Sequence, residues 1–183
     1  MNQQKYGCIG KKLTHSFSKE IHARLADYDY ELIELAEDAV GDFLIKRDFA
    51  AINVTIPYKE TVIPYLDSID AGAAKIGAVN TIVNRDGKLY GYNTDYYGMR
   101  ALIERIGVAF AGKKVLVLGT GGTSKTARVV AADLGAAEIL VVSRHPADDG
   151  STITYADAVA HHTDADVILN TTPVGMYPQC DAK

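Results

Sequence analysis

Polar and apolar positions alternate along this chain with two periods, and each change of period marks a new element. Ile52, Val54 and Ile56 alternate with Asn53 and Thr55, which predicts a half-buried strand over Ala51–Ile56. Strands are also predicted at Tyr6–Ile9, Tyr30–Leu35 and Ala78–Val83, with Asp86-Gly87 as a hairpin turn leading to Leu89. Helices are predicted between them: Ser18–Ala26 with Ile21 and Leu25 on one face, Val40–Lys46, Pro57–Leu66 and Ala71–Ile76. A longer helix runs from an N-cap at Thr94 to Ile106 and stops at Gly107.

Beyond residue 100 the pattern changes. Val115-Leu-Val-Leu118 is a continuous apolar run of the kind found in parallel strands covered on both faces. A glycine loop follows, then a helix with Ala127, Val130, Ala131 and Leu134 on one stripe and Gly135 as its stop. Ile139–Val142 and Val167–Leu169 read as further buried strands. This is the alternation of a doubly wound sheet. The expected fold class is α/β, an N-terminal α/β domain over 1–99 followed by a partial Rossmann-like domain over 100–183. No apolar run follows Pro173, so only about half of a six-stranded dinucleotide-binding sheet is expected and the chain looks cut short.

Composition narrows the partners. With 48% hydrophobic and 23% charged residues, the 183-residue chain has ordinary globular usage. Its 19 basic and 23 acidic residues give a net charge of −4 without any basic run, which disfavours nucleic acid and anionic membrane. No apolar stretch approaches the ~18 residues of a membrane span. The start of the chain lacks the pattern of a signal peptide. Cys8 and Cys180 stand alone and read as reduced thiols in a cytoplasmic protein, Cys8 packed in the first strand. The five histidines form no plausible metal-ligand set, so no metal is expected.

The glycine loop carries the first candidate chemistry. Gly119-Thr120-Gly121-Gly122-Thr123-Ser124 lies between a buried strand and an amphipathic helix. The first glycine permits a tight turn, the second lets backbone approach a pyrophosphate, and a small residue, here Ser124, allows close helix–strand packing. The helix N-terminus then offers N–H groups to the phosphates. At the end of the next strand, Ser143 and Arg144 stand where an NAD site usually places an acid, so NADP is expected, with NAD possible. A surface arginine ending a strand is the alternative, and Asp148 and Asp149 nearby oppose a phosphate.

Further polar residues stand out in the first half. Pro57 reads as a first helical position, which puts Lys59 in a first helical turn facing the positive end of the dipole. A charge placed against that field marks a candidate functional group, and a solvated surface lysine is the alternative. Asn80 interrupts an apolar run and is either a ligand-binding or a structural amide. Asp95 opens a helix, where an acid is also simply stabilising. Ser16 and Ser18 bracket Phe17, and Ser18 also suits an N-cap. Thr55 shares the polar face of its strand with Asn53.

Taken in order, Leu13-Thr-His-Ser16-Phe-Ser18, Ile52–Lys59, Gly77-Ala-Val-Asn80-Thr81, Gly91–Gly98 around Asp95, Gly119–Ser124 and Asn170-Thr171-Thr-Pro-Val-Gly-Met176 resemble the shikimate dehydrogenases over nearly the whole chain. The resemblance implies a substrate domain and an NADP-binding domain around a cleft, and reversible NADPH-dependent reduction of 3-dehydroshikimate to shikimate on the route to chorismate. It implies that Ser16 and Ser18 hold the substrate carboxylate, that Thr55, Asn80 and Asp95 hold ring hydroxyls, and that Lys59 and Asp95 form the catalytic pair. Gly119–Ser124, Ser143, Arg144 and Thr171 fall to the cofactor, and a monomer or homodimer is expected. A lysine ammonium suits the chemistry, since it can stabilise a developing alkoxide and then protonate it.

Three departures from the family pattern stand beside these matches. The segment between Arg144 and Val167 is short, with Pro146–Gly150 where a helix is expected, so that edge of the sheet should be irregular. A second basic residue after Arg144 is absent. The family's last portion, with a substrate-binding glutamine and a helix returning to the first domain, is missing. The alternatives are a quinate/shikimate dehydrogenase with relaxed cofactor use, and a dinucleotide- or shikimate-binding module without turnover.

Overall fold

The computed structural model describes residues 5–14, 16–176 and 180–181; His15 of the first motif lies outside them. The chain divides into two compact units, Met1–Thr94 and Asp95–Lys183.

The first unit runs β1 (Tyr6–Gly10), α1 (Ser18–Leu25), β2 (Tyr30–Glu34), α2 (Ala39–Lys46), β3 (Ala51–Val54), β4 (Ser68–Ile69), α3 (Ala71–Ile76), β5 (Thr81–Arg85) and β6 (Lys88–Tyr92). One six-stranded sheet results, ordered β2-β1-β3-β5-β6-β4. β1 pairs in parallel with β2 and β3, and β5 is antiparallel to both β3 and β6. Asp86 and Gly87 both take positive φ, 52° and 80°, as the two central residues of a tight hairpin must when the strands twist normally. Period 2 sorts the faces. Ile9, Ile52, Val54 and Ile82 point to one side and pack with Val40, Leu44, Tyr58 and Val62.

The predicted helix Pro57–Leu66 is a run of turns ending in a short 3-10 helix, Ile63–Tyr65. In an α-helix the Lys59 carbonyl would accept from the Ile63 N–H. Instead it accepts from Val79 N–H at 2.7 Å, and Ile63 N–H turns back to Glu60. Pro64 has no N–H with which to continue. Lys59 therefore faces no helix dipole. β3 ends at Val54 and β5 starts at Thr81, so Ile56 and Ala78–Asn80 are irregular. Ser18 is the first helical residue of α1 and Phe17 the N-cap, and α1 buries no residue. Ile21 and Leu25 are exposed, and α1 meets β2 through His22, whose ring stacks on Tyr30 at 3.8 Å.

The second unit runs α4 (Thr94–Ile106), β7 (Lys114–Leu118), α5 (Gly122–Asp133), β8 (Glu138–Val142), α6 (Tyr155–His161) and β9 (Val167–Asn170), with α4 starting at the last residue of the first unit. Its sheet is parallel and ordered β8-β7-β9. Val115, Val117, Ala127, Val130 and Ala131 form the core against Ile103 and Phe110. A single parallel bridge, Val142 to Ile153, sits beside β8. It occupies the place of the outer strand in the 3-2-1-4 half of a dinucleotide-binding sheet. The expected irregular edge is thus a strand reduced to one bridge. Pro146–Gly150 forms no helix, but α6 completes the crossover, started by a capping box between Thr154 and Asp157.

Candidate active site

The face of the first sheet opposite its main core is where the polar residues meet. Cys8, Asn53 and Thr81 are register neighbours on β1, β3 and β5, so their side chains share that face, and Tyr30 of β2 joins them. A continuous chain of hydrogen bonds crosses it. The Tyr30 hydroxyl donates to Asn53 Oδ1 at 2.6 Å. Asn53 Nδ2 donates to Thr81 Oγ1 at 3.3 Å, and the Thr81 hydroxyl donates to Asn80 Oδ1 at 3.1 Å. Asn80 in turn accepts from Thr94 N–H at 2.9 Å and donates to Thr94 Oγ1 at 3.0 Å.

At the other end Ser18 stands beside the Tyr30 hydroxyl. Burial pushes the Tyr30 hydroxyl well up, the Cys8 thiol adds to this, and Ser18 opposes it. Ser16 lies 3.1 Å from Ser18, hydroxyl to hydroxyl. The loop carrying both serines is pinned by Leu13 N–H to the Glu34 carboxylate at 2.7 Å and by Ser16 N–H to Leu13 carbonyl at 2.9 Å. Thr55 follows β3 directly and takes a backbone bond to Ile9 at 3.0 Å. Lys59 lies in the turns beyond, close enough to act on β1. Burial pushes the Cys8 thiol up, and the Lys59 ammonium pulls it partly back. Asp95 occupies the first turn of α4, directly after Thr94.

The second unit assembles the glycine loop. Gly119 has φ +103°, and a side chain there would meet Thr171 and Thr172 at 3.1–3.2 Å. Its N–H donates to Val142 carbonyl at 2.8 Å, which brings the end of β8 beside the loop. Thr171 donates its hydroxyl to Leu118 carbonyl at 2.5 Å and closes the other side. Gly121 caps α5, and a Cβ there would have nothing within 4 Å. That open backbone, with no acid in the first turn of α5, fits a pyrophosphate. Ser124 is buried beneath, and Thr120 and Thr123 are exposed around Gly122. Ser143 holds the turn after β8 through bonds to the N–H and carbonyl of His145 at 3.1 and 3.0 Å, and leaves Arg144 exposed between them.

Ser16 and Ser18 are therefore paired beside Tyr30, from which the hydrogen-bonded row runs to Asn80, and the loop 119–124 is gathered with Thr171 and the end of β8. Tyr30 and Thr81, which carry the network, were not anticipated as functional. The signal was faint: Tyr30 looks like an ordinary strand aromatic, and only its register position gives it a partner on β3.

Residues 8–82 match the shikimate dehydrogenase substrate binding domain. The chain is 41% identical to a shikimate dehydrogenase (NADP(+)) of Clostridium beijerinckii, over 96% of this chain and 70% of that one. Among solved structures it is similar to shikimate dehydrogenase 1 from Peptoclostridium difficile, with a TM-score of 0.84 at 37% identity, covering 96% of this chain and 69% of that one. It is also similar to the Thermus thermophilus shikimate 5-dehydrogenase solved with NADP(H) and shikimate, with a TM-score of 0.81 at 27% identity, covering 98% and 72%. This chain belongs to the shikimate dehydrogenase family.

Proposed function

We infer that this chain is a shikimate dehydrogenase, reducing 3-dehydroshikimate reversibly to shikimate with NADPH, its first unit holding the substrate and its second the cofactor. The observation that supports this most directly is the hydrogen-bonded row from Tyr30 through Asn53 and Thr81 to Asn80, with the Ser16–Ser18 pair beside Tyr30 and the Lys59 charge acting on the same β1 face. Such a row suits a small ligand with a carboxylate at one end and hydroxyls along it. Ser16 and Ser18 meet the carboxylate; Thr55, Asn80 and Asp95 meet the hydroxyls.

NADPH supplies a hydride when bound. The chain's own task is the oxygen that gains negative charge as the carbonyl is reduced. The Lys59 ammonium stabilises that charge, gives the oxygen a proton from Nζ and regains one from solvent. Asp95 is the second member of the catalytic pair. Residues Gly119–Ser124 and Thr171 hold the pyrophosphate end, and Arg144 pairs with the 2′-phosphate from the turn that Ser143 fixes. Hydrogen bonds from the Ser151 hydroxyl and N–H hold the Asp149 carboxyl below the usual range, so the same turn carries a fixed negative charge and the preference for NADP is modest.

Steady-state rates with shikimate or quinate, each with NADP or NAD, test this reading. Shikimate with NADP should give the highest kcat/KM. Absence of any shikimate-dependent cofactor reduction would overturn it, and comparable quinate turnover would favour the relaxed dehydrogenase.

A further inference from the structure

We propose that Tyr30 and Thr81 are positioning residues that fix the Asn80 amide, so that a ligand hydroxyl is met by an N–H donor of Asn80 and never by its carbonyl. The inference rests on the shikimate-binding reading above and goes beyond it in two residues to which the resemblance assigns no role.

The polarity of the row follows from one bond. Thr94 N–H is a backbone donor and cannot accept, so the Asn80 side-chain atom 2.9 Å from it must be oxygen. The Thr81 hydroxyl, 3.1 Å from the same oxygen, must then donate to it. Having spent its single proton, Thr81 can only accept from Asn53, so the Asn53 atom facing it is nitrogen. Asn53 oxygen is left for Tyr30, which must donate across 2.6 Å. The Tyr30 lone pairs then remain to accept from Ser18. Each side chain in the row has one proton arrangement compatible with its neighbours.

That arrangement decides how the site meets a ligand. The Asn80 oxygen is filled by Thr81 and Thr94, and one Nδ2 proton is taken by Thr94 Oγ1. Its other Nδ2 proton is what it has left to offer. Without the Thr81 hydroxyl, one of the bonds that hold the oxygen inward is gone, and those that remain all come from Thr94. Without the Tyr30 hydroxyl, Asn53 is free to turn and present its oxygen to Thr81, which then donates back to Asn53 and abandons Asn80. The Tyr30 ring is separately held by its stack on His22, so loss of the hydroxyl alone leaves the packing in place. Ser18 is coupled to the same row: when it turns its hydroxyl toward a ligand carboxylate, Tyr30 keeps its donation to Asn53 and Asn80 stays set.

Shikimate binding by calorimetry, without cofactor, tests this with Tyr30→Phe, Thr81→Val, Thr81→Ser and Asn80→Ala. Tyr30→Phe and Thr81→Val should each weaken binding roughly three- to tenfold, the scale of one hydrogen bond. Thr81→Ser, which keeps the hydroxyl, should restore most of what Thr81→Val loses, which a packing role for the methyl would not do. Adding Tyr30→Phe to Asn80→Ala should cost nothing further, because the relay then has no amide to set. Wild-type affinity in Tyr30→Phe and Thr81→Val beside a weakened Asn80→Ala would overturn the relay and leave the shikimate site standing. Fully additive losses with Asn80→Ala would overturn it equally. No shikimate binding by the unmutated chain would overturn the site itself and the relay with it.

Discussion

Asn80 and Thr94 hold each other through paired hydrogen bonds, Thr94 N–H to Asn80 Oδ1 at 2.9 Å and Asn80 Nδ2 to Thr94 Oγ1 at 3.0 Å. The first of these satisfies a backbone donor at the start of α4, which is the work of a helix cap done from the irregular segment before β5. The structural and the ligand-binding explanations of Asn80 are therefore compatible. The amide oxygen and one Nδ2 proton serve the fold, and the second Nδ2 proton is the one the proposed site would use.

Asn80→Ala should show both roles at once. Loss of the cap should lower stability by about 0.5–2 kcal/mol. Loss of the remaining donor should weaken shikimate binding by about 1–3 kcal/mol. Thermal melts and calorimetry on the same preparation separate them. A mutant that melts early but binds shikimate normally would confine Asn80 to the cap.

Lys59→Ala should lower kcat by about 10²- to 10⁴-fold with a smaller effect on KM, because a proton donor acts mainly in the transition state. The backbone role of residue 59, its carbonyl accepting from Val79, survives the substitution. Retention of most of kcat would reduce Lys59 to a binding or surface residue.

Asp67 should make the first unit sensitive to acid. Its carboxylate accepts from Leu89 N–H at 2.7 Å and pairs with Arg47 at 3.0 Å, and these hold it below the usual carboxylate range. A folded value below the unfolded one means stability that is present above the unfolded value, about 4, and is lost as pH falls through the folded value. The stability gap between wild type and Asp67→Asn should thus be open at pH 7 and close toward pH 2. A gap that stays constant over that range would contradict the ion-pair account.

Much of this architecture was legible where period and punctuation agreed. The hairpin at Asp86-Gly87 needed two positive-φ residues and had them, and the α5 stripe ended at Gly135, which takes φ +84°. The failure at Pro57–Leu66 has a long-range cause: the Lys59 carbonyl is claimed by Val79, twenty residues on, and local propensity carries no trace of that partner. α6 was missed although Thr154 and Asp157 spell a capping box, because the run behind it buries only Ala158. The site divided in the same way. Ser16, Ser18 and Asn80 stood out as polar residues in odd places, whereas Tyr30 became visible only once β2 lay beside β1 and its hydroxyl met Asn53.

Arg144→Ala should raise KM for NADP selectively and leave NAD use nearly unchanged. The turn itself is held by Ser143 through His145, so removing the arginine side chain leaves its scaffold intact. A charge-assisted contact to phosphate is roughly twice as strong as a neutral hydrogen bond, about 1.5–3 kcal/mol, or on the order of ten- to a hundredfold. Equal losses with both cofactors would show that the arginine serves the fold.

Gly121 and Gly119 sit two residues apart in one loop and should respond oppositely to alanine. At Gly121 φ is −73° and an added methyl has nothing within 4 Å, so Gly121→Ala should fold with a cost under about 1 kcal/mol. The space that methyl enters is the space a pyrophosphate needs, and KM for NADP should rise about tenfold or more, the equivalent of ~1.4 kcal/mol. At Gly119 φ is +103° and the methyl would press on Thr171 and Thr172 at 3.1–3.2 Å. Gly119→Ala should therefore destabilise the second unit by about 1 kcal/mol or more through backbone strain, before any cofactor is added. Thermal melts with and without NADP distinguish the two: Gly121→Ala should melt like wild type alone but lose the rise in Tm that NADP gives, whereas Gly119→Ala should melt early in both conditions. A Gly121→Ala protein stabilised by NADP as strongly as wild type would remove the loop from the cofactor site.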